Sequence, residues 1–383
     1  MKLPLGFRAS GVAAGIKESG KPDMGLIVAD GPSLWALTTT ENLVKAPCVT
    51  RNRARHAAEH PVRALVVNAG NANCANGERG VWDNEDFAAL SAGALGLERV
   101  QDVLTASTGV IGVRLEMDKV RSGVAKAVAA LSEDGADDFA GAILTTDLVT
   151  KQVAVDLPSG GRVLGIAKGS GMIHPNMATL FAFVLTDAMT QQRRLRRLWR
   201  DVVAGTLNQV SVDGDTSTND MAIVLSSNRT PVEESELARA LGEVAEGLAR
   251  KVAADGEGAT TLLSVSVSGA RSLDEARRAA RAVVASNLVK SAVHGRDPNW
   301  GRVLSAIGQS GVVADLDNVV VKLQGVEVFR GTSREFDEAA VSAAMHAEEV
   351  RFEVDLAAGE AEALAWGCDL SADYVRINAE YRT

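Results

Sequence analysis

The feature that most restricts the fold is an alternation along the whole chain of short apolar runs with longer stretches whose apolar residues recur every three or four positions. Runs at 26–29, 65–68, 163–167 and 180–186 have the length and composition of strands. Residues 116–131, 191–207, 233–253 and 273–289 carry the spacing of amphipathic helices, because a turn of about 3.6 residues puts such positions on one face. The mixture predicts an α/β or α+β body.

With 383 residues, 46% of them hydrophobic, there is enough material for two ordinary domains or one large body with a buried core. Thirty-six glycines and 4% aromatic residues make that core one of aliphatic packing and tight turns. No internal repeat or low-complexity tract breaks the chain.

Charge narrows the partners. The formal net charge is −9 and the pI near 5.2, so no general positive field draws nucleic acid or an anionic membrane. The only dense basic run holds Arg193, Arg194, Arg196, Arg197 and Arg200. Leu195, Leu198, Val202 and Val203 give it the stripe of an amphipathic helix with a solvated basic face. The N-terminus lacks the apolar stretch of a signal peptide, and no run reaches the length of a membrane span. Cys48, Cys74 and Cys368 are odd in number and widely spread, as free thiols in a reducing compartment would be; the expected location is the cytoplasm.

Three possible sites fail on chemistry. His56, Glu59 and His60 match an H-x-x-E-H zinc spacing, but Pro61 follows at once and no distant acidic ligand is identifiable, so the segment reads as a polar turn of helix. The run 213–220 alternates oxygen-bearing side chains like a calcium loop. It has Thr218 where that loop needs glycine and Val224 where it needs glutamate, and is better read as a hydrogen-bonded turn beside a site. In Lys168-Gly-Ser-Gly171 the lysine precedes the glycines, the reverse of the P-loop order. No metal and no organic cofactor is expected.

The segment KGSGMIHPNMAT at 168–179 runs from a glycine- and proline-containing loop into an apolar strand, with Thr179 at the junction. A hydroxyl held there can attack the carbonyl of its own preceding peptide bond. The resulting ester hydrolyses to a new N-terminal threonine, whose α-amine, with a pKa of about 7.7 to 8.0, can serve as the base. The residues alone also allow the plainer reading, that a β-branched residue simply begins a strand.

This segment resembles the self-cleavage site of the ornithine acetyltransferase (glutamate N-acetyltransferase) family. GVAAGIK at 11–17, NAGNANCANG at 68–77, ASTGVIG at 106–112 and TTD at 145–147 resemble the same family in the same order. So do VDGDTSTND at 212–220, LVKSAVHGRDPNWGR at 288–302 and YVRINAEYRT at 374–383. Cys74-Ala-Asn and the segment 40–43 are local variants of the family pattern.

The resemblance implies a layered α/β sheet sandwich with flanking helices, shared with self-cleaving aminopeptidases. It implies a cut between Ala178 and Thr179, residues 1–178 becoming an α chain and 179–383 a β chain, associated as an α2β2 heterotetramer. Thr179 is then the nucleophile, with Thr108 and Gly109 as the oxyanion hole. Substrate contacts fall on Thr145, Lys168, Thr179, Glu257, Asn378 and Thr383. Lys168 suits a substrate carboxylate and Glu257 an amino group.

The implied reaction is ping-pong: acetyl passes from N2-acetylornithine to Thr179 and then to glutamate, within arginine biosynthesis. Relatives with and without acetyl-CoA as a second donor share these motifs, so that activity is left open. Two rivals are an aminopeptidase, in which water resolves the acyl enzyme and the usual nucleophile is serine, and an uncut ligand-binding protein on the same scaffold.

Overall fold

The computed structural model describes residues 1–174 and 180–380. The chain begins with β1 (Phe7–Val12), β2 (Met24–Thr39), α1 (Pro47–Ala57), β3 (Val62–Asn71), α2 (Gly77–Ala94) and β4 (Val103–Val110). Then come α3 (Met117–Ala129), α4 (Ala136–Ala142), β5 (Lys151–Asp156), β6 (Arg162–Lys168), β7 (Phe181–Ala188) and α5 (Gln192–Gly205). They are followed by β8 (Val210–Ser211), β9 (Met221–Thr230), α6 (Glu234–Ala254), β10 (Leu262–Ala270), α7 (Leu273–Ala285), α8 (Asn287–His294) and α9 (Trp300–Gln309). The last elements are β11 (Val320–Leu323), β12 (Val326–Arg330), β13 (Thr332–Ser333), α10 (Glu338–Ala344), β14 (Glu349–Asp355), β15 (Ala361–Cys368) and α11 (Ala372–Glu380).

Two mixed sheets organise these elements. The first has eight strands in the order β4-β3-β2-β9-β7-β6-β5, with β1 paired to β2 beside that path; the second has seven, β13-β12-β11-β14-β10-β15-β8. The layered α/β expectation holds. The long β2 serves two partners because its register shifts between Val28 and Ser33: before the shift it pairs β3, and from Leu34 onward it pairs β9.

Apolar spacing decides how the layers meet. In α6 the buried residues Leu237, Leu241, Val244 and Leu248 recur at the helical period, and the helix packs on β5 and β6 of the first sheet and β10 and β15 of the second. Gly165 on β6 makes room: a Cβ there would lie 2.5 Å from Val244 and 2.7 Å from Leu248. The opposite face of the first sheet buries Phe181, Phe183 and Leu185 with Phe139 of α4 and Val49 of α1, while α2 and α3 cover the end built from β2 and β3. The second sheet has its own core, in which Val265, Val354 and Ala365 meet α7, α8 and α9.

Three expected helices appear within two residues of their predicted ends as α3, α5 and α6, α5 ending short of a single 3-10 turn at Leu207–Gln209. The fourth is corrected. The periodicity at 273–289 belongs to two helices, since Ser286 adopts an extended backbone and its hydroxyl caps the Val289 N–H of α8. In α5 the apolar stripe is Leu195, Trp199 and Val203, and arginines on the other face pair with acids, including Arg196 with Glu59. His56 stacks edge-on against Trp35 at 5.2 Å, and burial, reinforced by Arg196, drives its pKa down to about 4, so it is a neutral packing residue. All three cysteines are buried free thiols, and no helix among the described residues is long and apolar enough to cross a membrane.

Candidate active site

Several strand ends of the first sheet open on one side into a cleft lined by residues from both sides of the proposed cut. Thr108 and Gly109 reach it from the end of β4, Lys168 from the end of β6, Thr145 from the segment before β5, Glu257 from the turn after α6 and Asn378 from α11. These six residues, expected from widely separated motifs, line one space. Ala178, Thr179 and Thr383 lie outside the described residues.

Gly109 is fixed by a close approach of two backbones. It has φ +130°, and a Cβ would stand 2.3 Å from the carbonyl carbon of Gly70 on the neighbouring strand. No side chain fits there. The loop after Gly70 braces the same edge: the Ala72 N–H donates to Val110, Asn71 donates to the carbonyls of Val113 and Arg114, and Asn73, at φ +44°, donates to Gly80. The NAGNANCANG run is thus a hydrogen-bonded buttress behind Thr108 and Gly109, which can offer a hydroxyl and a backbone N–H to a developing oxyanion.

The turn 213–220 does lie beside the site, since Ser217, Thr218 and Asn219 line the cleft. Asn219 is a link the sequence reading missed. Its amide donates to the carbonyls of Ala72 at 2.8 Å and Ser107 at 2.6 Å, tying the approach to β9 onto the edge that carries Thr108.

Lys168 is buried within a charged cluster. Burial pushes its ammonium below the usual range, and Lys151 acts in the same direction; Asp147, Asp220 and Glu257 oppose them. Asp147 has no exposed side-chain surface and takes hydrogen bonds from the Thr145 N–H at 3.0 Å, the Gly169 N–H at 2.6 Å and Lys151 at 2.6 Å. Burial raises its pKa, but Lys168 and Lys151 outweigh that and hold it at about 2. Lys151 bridges onward to Asp255 at 2.5 Å. None of Asp147, Lys151 and Asp255 was singled out as a site residue, though Asp147 belongs to the TTD motif; fully buried charges cannot be read from sequence. Nearby, Lys17 of GVAAGIK is lowered to about 8 by burial, with Lys168 adding to the effect and Asp23 opposing it.

Glu257 is set from two sides. Its carboxylate accepts from the Asn378 amide at 2.8 Å, and its own N–H donates to the Ser170 carbonyl at 3.1 Å. Gly171 leaves room for this carboxylate: a Cβ here would fall 2.3 Å from it and would displace the Glu257 side chain. Residues 172 and 173 are held by Asp213, which accepts from the Met172 N–H at 2.5 Å and the Ile173 N–H at 2.9 Å. Met172 is held at φ +57°, an uncommon conformation for a side chain of that size.

The site therefore brings a strand edge that can offer hydrogen bonds to an anion, a buried lysine and a carboxylate around one cleft, groups of the kind that acyl transfer can use. Comparison with known proteins bears on this geometry. Arginine biosynthesis bifunctional protein ArgJ of Deinococcus radiodurans is 52% identical over 382 residues, spanning 100% of this chain and 98% of the relative. The protein of the same description from Thermus thermophilus is 50% identical, with 100% of both chains covered. The crystal structure of arginine biosynthesis bifunctional protein ArgJ from Bacillus halodurans matches with a TM-score of 0.50 and 38% identity, covering 52% of this chain and 98% of that one. Residues 8–383 match the ArgJ family as a whole, and this chain belongs to that family.

Proposed function

We propose that the chain is the acetyltransferase of an arginine-biosynthesis acetyl cycle: it cuts itself between Ala178 and Thr179 and carries acetyl on the Thr179 hydroxyl. In the first half-reaction that hydroxyl attacks the acetyl carbonyl of N2-acetylornithine, an ester forms, the amide bond breaks and ornithine leaves with the transferred proton. In the second the α-amine of glutamate attacks the ester, giving N-acetylglutamate and regenerating Thr179. The α-amine of Thr179 is the base in both. Thr108 and Gly109 stabilise the tetrahedral oxyanion; Lys168 takes a substrate carboxylate, and Glu257, oriented by Asn378, takes an amino group. Thr145 and Thr383 complete the substrate contacts.

The observation that carries this reading is the convergence of Thr108, Gly109, Thr145, Lys168, Glu257 and Asn378 on one cleft. Family membership supports it, as does the near-complete match of the Bacillus halodurans chain to only 52% of this one, the share expected of one processed half. The bifunctional description of both relatives supports a second donor, for which acetyl-CoA is the candidate. An α2β2 assembly in the cytoplasm completes the proposal.

Purified protein given N2-acetylornithine and glutamate should release ornithine and N-acetylglutamate in equal amounts. Free acetate in place of N-acetylglutamate would mean that water resolves the acyl enzyme, as in an aminopeptidase-type hydrolase.

A further inference from the structure

Two buried lysines stand at one end of the first sheet, and only one of them is committed. Lys151, the first residue of β5, is 0% exposed, and its ammonium donates to Asp147 at 2.6 Å, to Asp255 at 2.5 Å and to the Val149 carbonyl at 3.4 Å. An ammonium has three N–H donors, and all three are used. Lys168, at the end of β6, is 5% exposed and lines the cleft. Among the described residues its ammonium has no hydrogen-bond partner and no carboxylate oxygen within 4.0 Å.

The sheet separates the two lysines. Lys151 pairs with Ala167, so those side chains share a face, and Lys168, the next residue along β6, points to the other. Asp147 stands at the border. It takes the Gly169 N–H, which puts its carboxylate within reach of the flexible Lys168 side chain. The attraction is present: burial lowers the Lys168 pKa, and Asp147 is the foremost of the groups that raise it. Yet the carboxylate is already occupied, by Lys151 and by the N–H groups of Gly169 and Thr145. Asp255 is held in the same way by Lys151 and the Leu148 N–H, and its carbonyl takes the Ser170 hydroxyl at 2.6 Å.

We propose that Lys151 is a positioning residue that occupies the Asp147 carboxylate and so keeps Lys168 free for the carboxylate of an amino-acid substrate. The proposal rests on the role given to Lys168 above. Without Lys151, Asp147 is a buried anion deprived of its paired cation, a costly state that capture of Lys168 relieves. A captured Lys168 no longer answers a substrate carboxylate. The effect is confined to the recognition of one charge, since Lys151 makes no hydrogen bond to Thr108 or Gly109.

The test compares the binding of ornithine with that of 1,4-diaminobutane, which keeps both amines and lacks the carboxylate, by calorimetry on the purified protein, so no turnover is needed. Wild type should bind ornithine at least tenfold more tightly than the diamine. In Lys151→Met that ratio should fall below threefold, with affinity for the diamine within threefold of wild type. Adding Asp147→Asn restores the net charge of the cluster and removes the competing anion, so the double variant should regain a ratio of at least fivefold. A lysine that only supports the fold predicts the reverse, a second buried change compounding the first, and the mutant cycle separates the two.

A folded Lys151→Met protein that keeps the wild-type ratio, or a folded double variant that lacks it, would overturn the role. If the single variant does not fold, the double variant decides alone; if neither folds, the pair is a requirement of folding and the positioning role is refuted. A wild type that does not distinguish ornithine from the diamine contradicts the reading of Lys168 instead, so the two failures are distinct.

Discussion

At the scale of single residues, Gly109 makes the sharpest demand on the sequence. Its φ of +130° and the backbone of Gly70 at 2.3 Å from a would-be Cβ leave no place for alanine. Gly109→Ala should cost about 1–3 kcal/mol of stability through backbone strain. It should also reduce acetyl transfer, by up to on the order of 10²–10³-fold, because the strained backbone moves the residue-109 N–H, which alanine retains, away from the oxyanion. Thermal melting and kinetics on the same samples separate the two: activity lost only in proportion to the unfolded fraction would deny Gly109 a part in the chemistry. Motif order brought this residue and Thr108 into view, but not the strand contact that explains the glycine. Asn219 and Asp147 stayed hidden for a related reason, since their roles lie in hydrogen bonds to partners distant in sequence, Ala72 and Ser107 for Asn219 and Gly169 for Asp147.

At the scale of elements, the segment entering the proposed cleavage loop is pinned by Asp213. Beyond the Met172 and Ile173 N–H groups, the Ile173 carbonyl accepts the Val212 N–H at 2.8 Å. Burial raises the Asp213 pKa from 3.8 to about 6. In the folded chain this carboxyl holds its proton at pH values where the unfolded chain has lost it. Its contribution therefore favours folding most below the unfolded value and declines as pH rises from about 4 to about 6, by up to about 3 kcal/mol. Asp213→Asn should flatten that part of the melting profile; an unchanged slope between those pH values would show that Asp213 does not titrate as buried. Periodicity found α3, α5 and α6 well because each has one apolar face. It ran α7 and α8 together because Val283, Val284 and Val289 continue the spacing past Ser286, whose capping bond breaks the helix.

At the scale of the whole molecule, the first sheet interleaves both sides of the proposed cut. Strands β1 to β6 come from residues before 178, whereas β7 and β9 come from residues after it, and the order β2-β9-β7-β6 sets those two strands between partners from the first part. Cleavage there severs one covalent bond and leaves the full ladders between β2 and β9 and between β6 and β7. Two chains would be held by a shared core. Strand-like runs were visible in the sequence, but their pairing was not, because non-local register depends on partners that composition does not reveal.

The most direct test of the central claim is the intact mass of purified wild type and Thr179→Ala, under native and denaturing conditions, with acetyl transfer measured on the same samples. The expected wild type is active and gives two chains, the second beginning at Thr179, that travel together natively and separate only in denaturant. Thr179→Ala should be a single inactive chain. A wild type that transfers acetyl while remaining uncut, or a Thr179→Ala protein that retains the activity, would contradict the account.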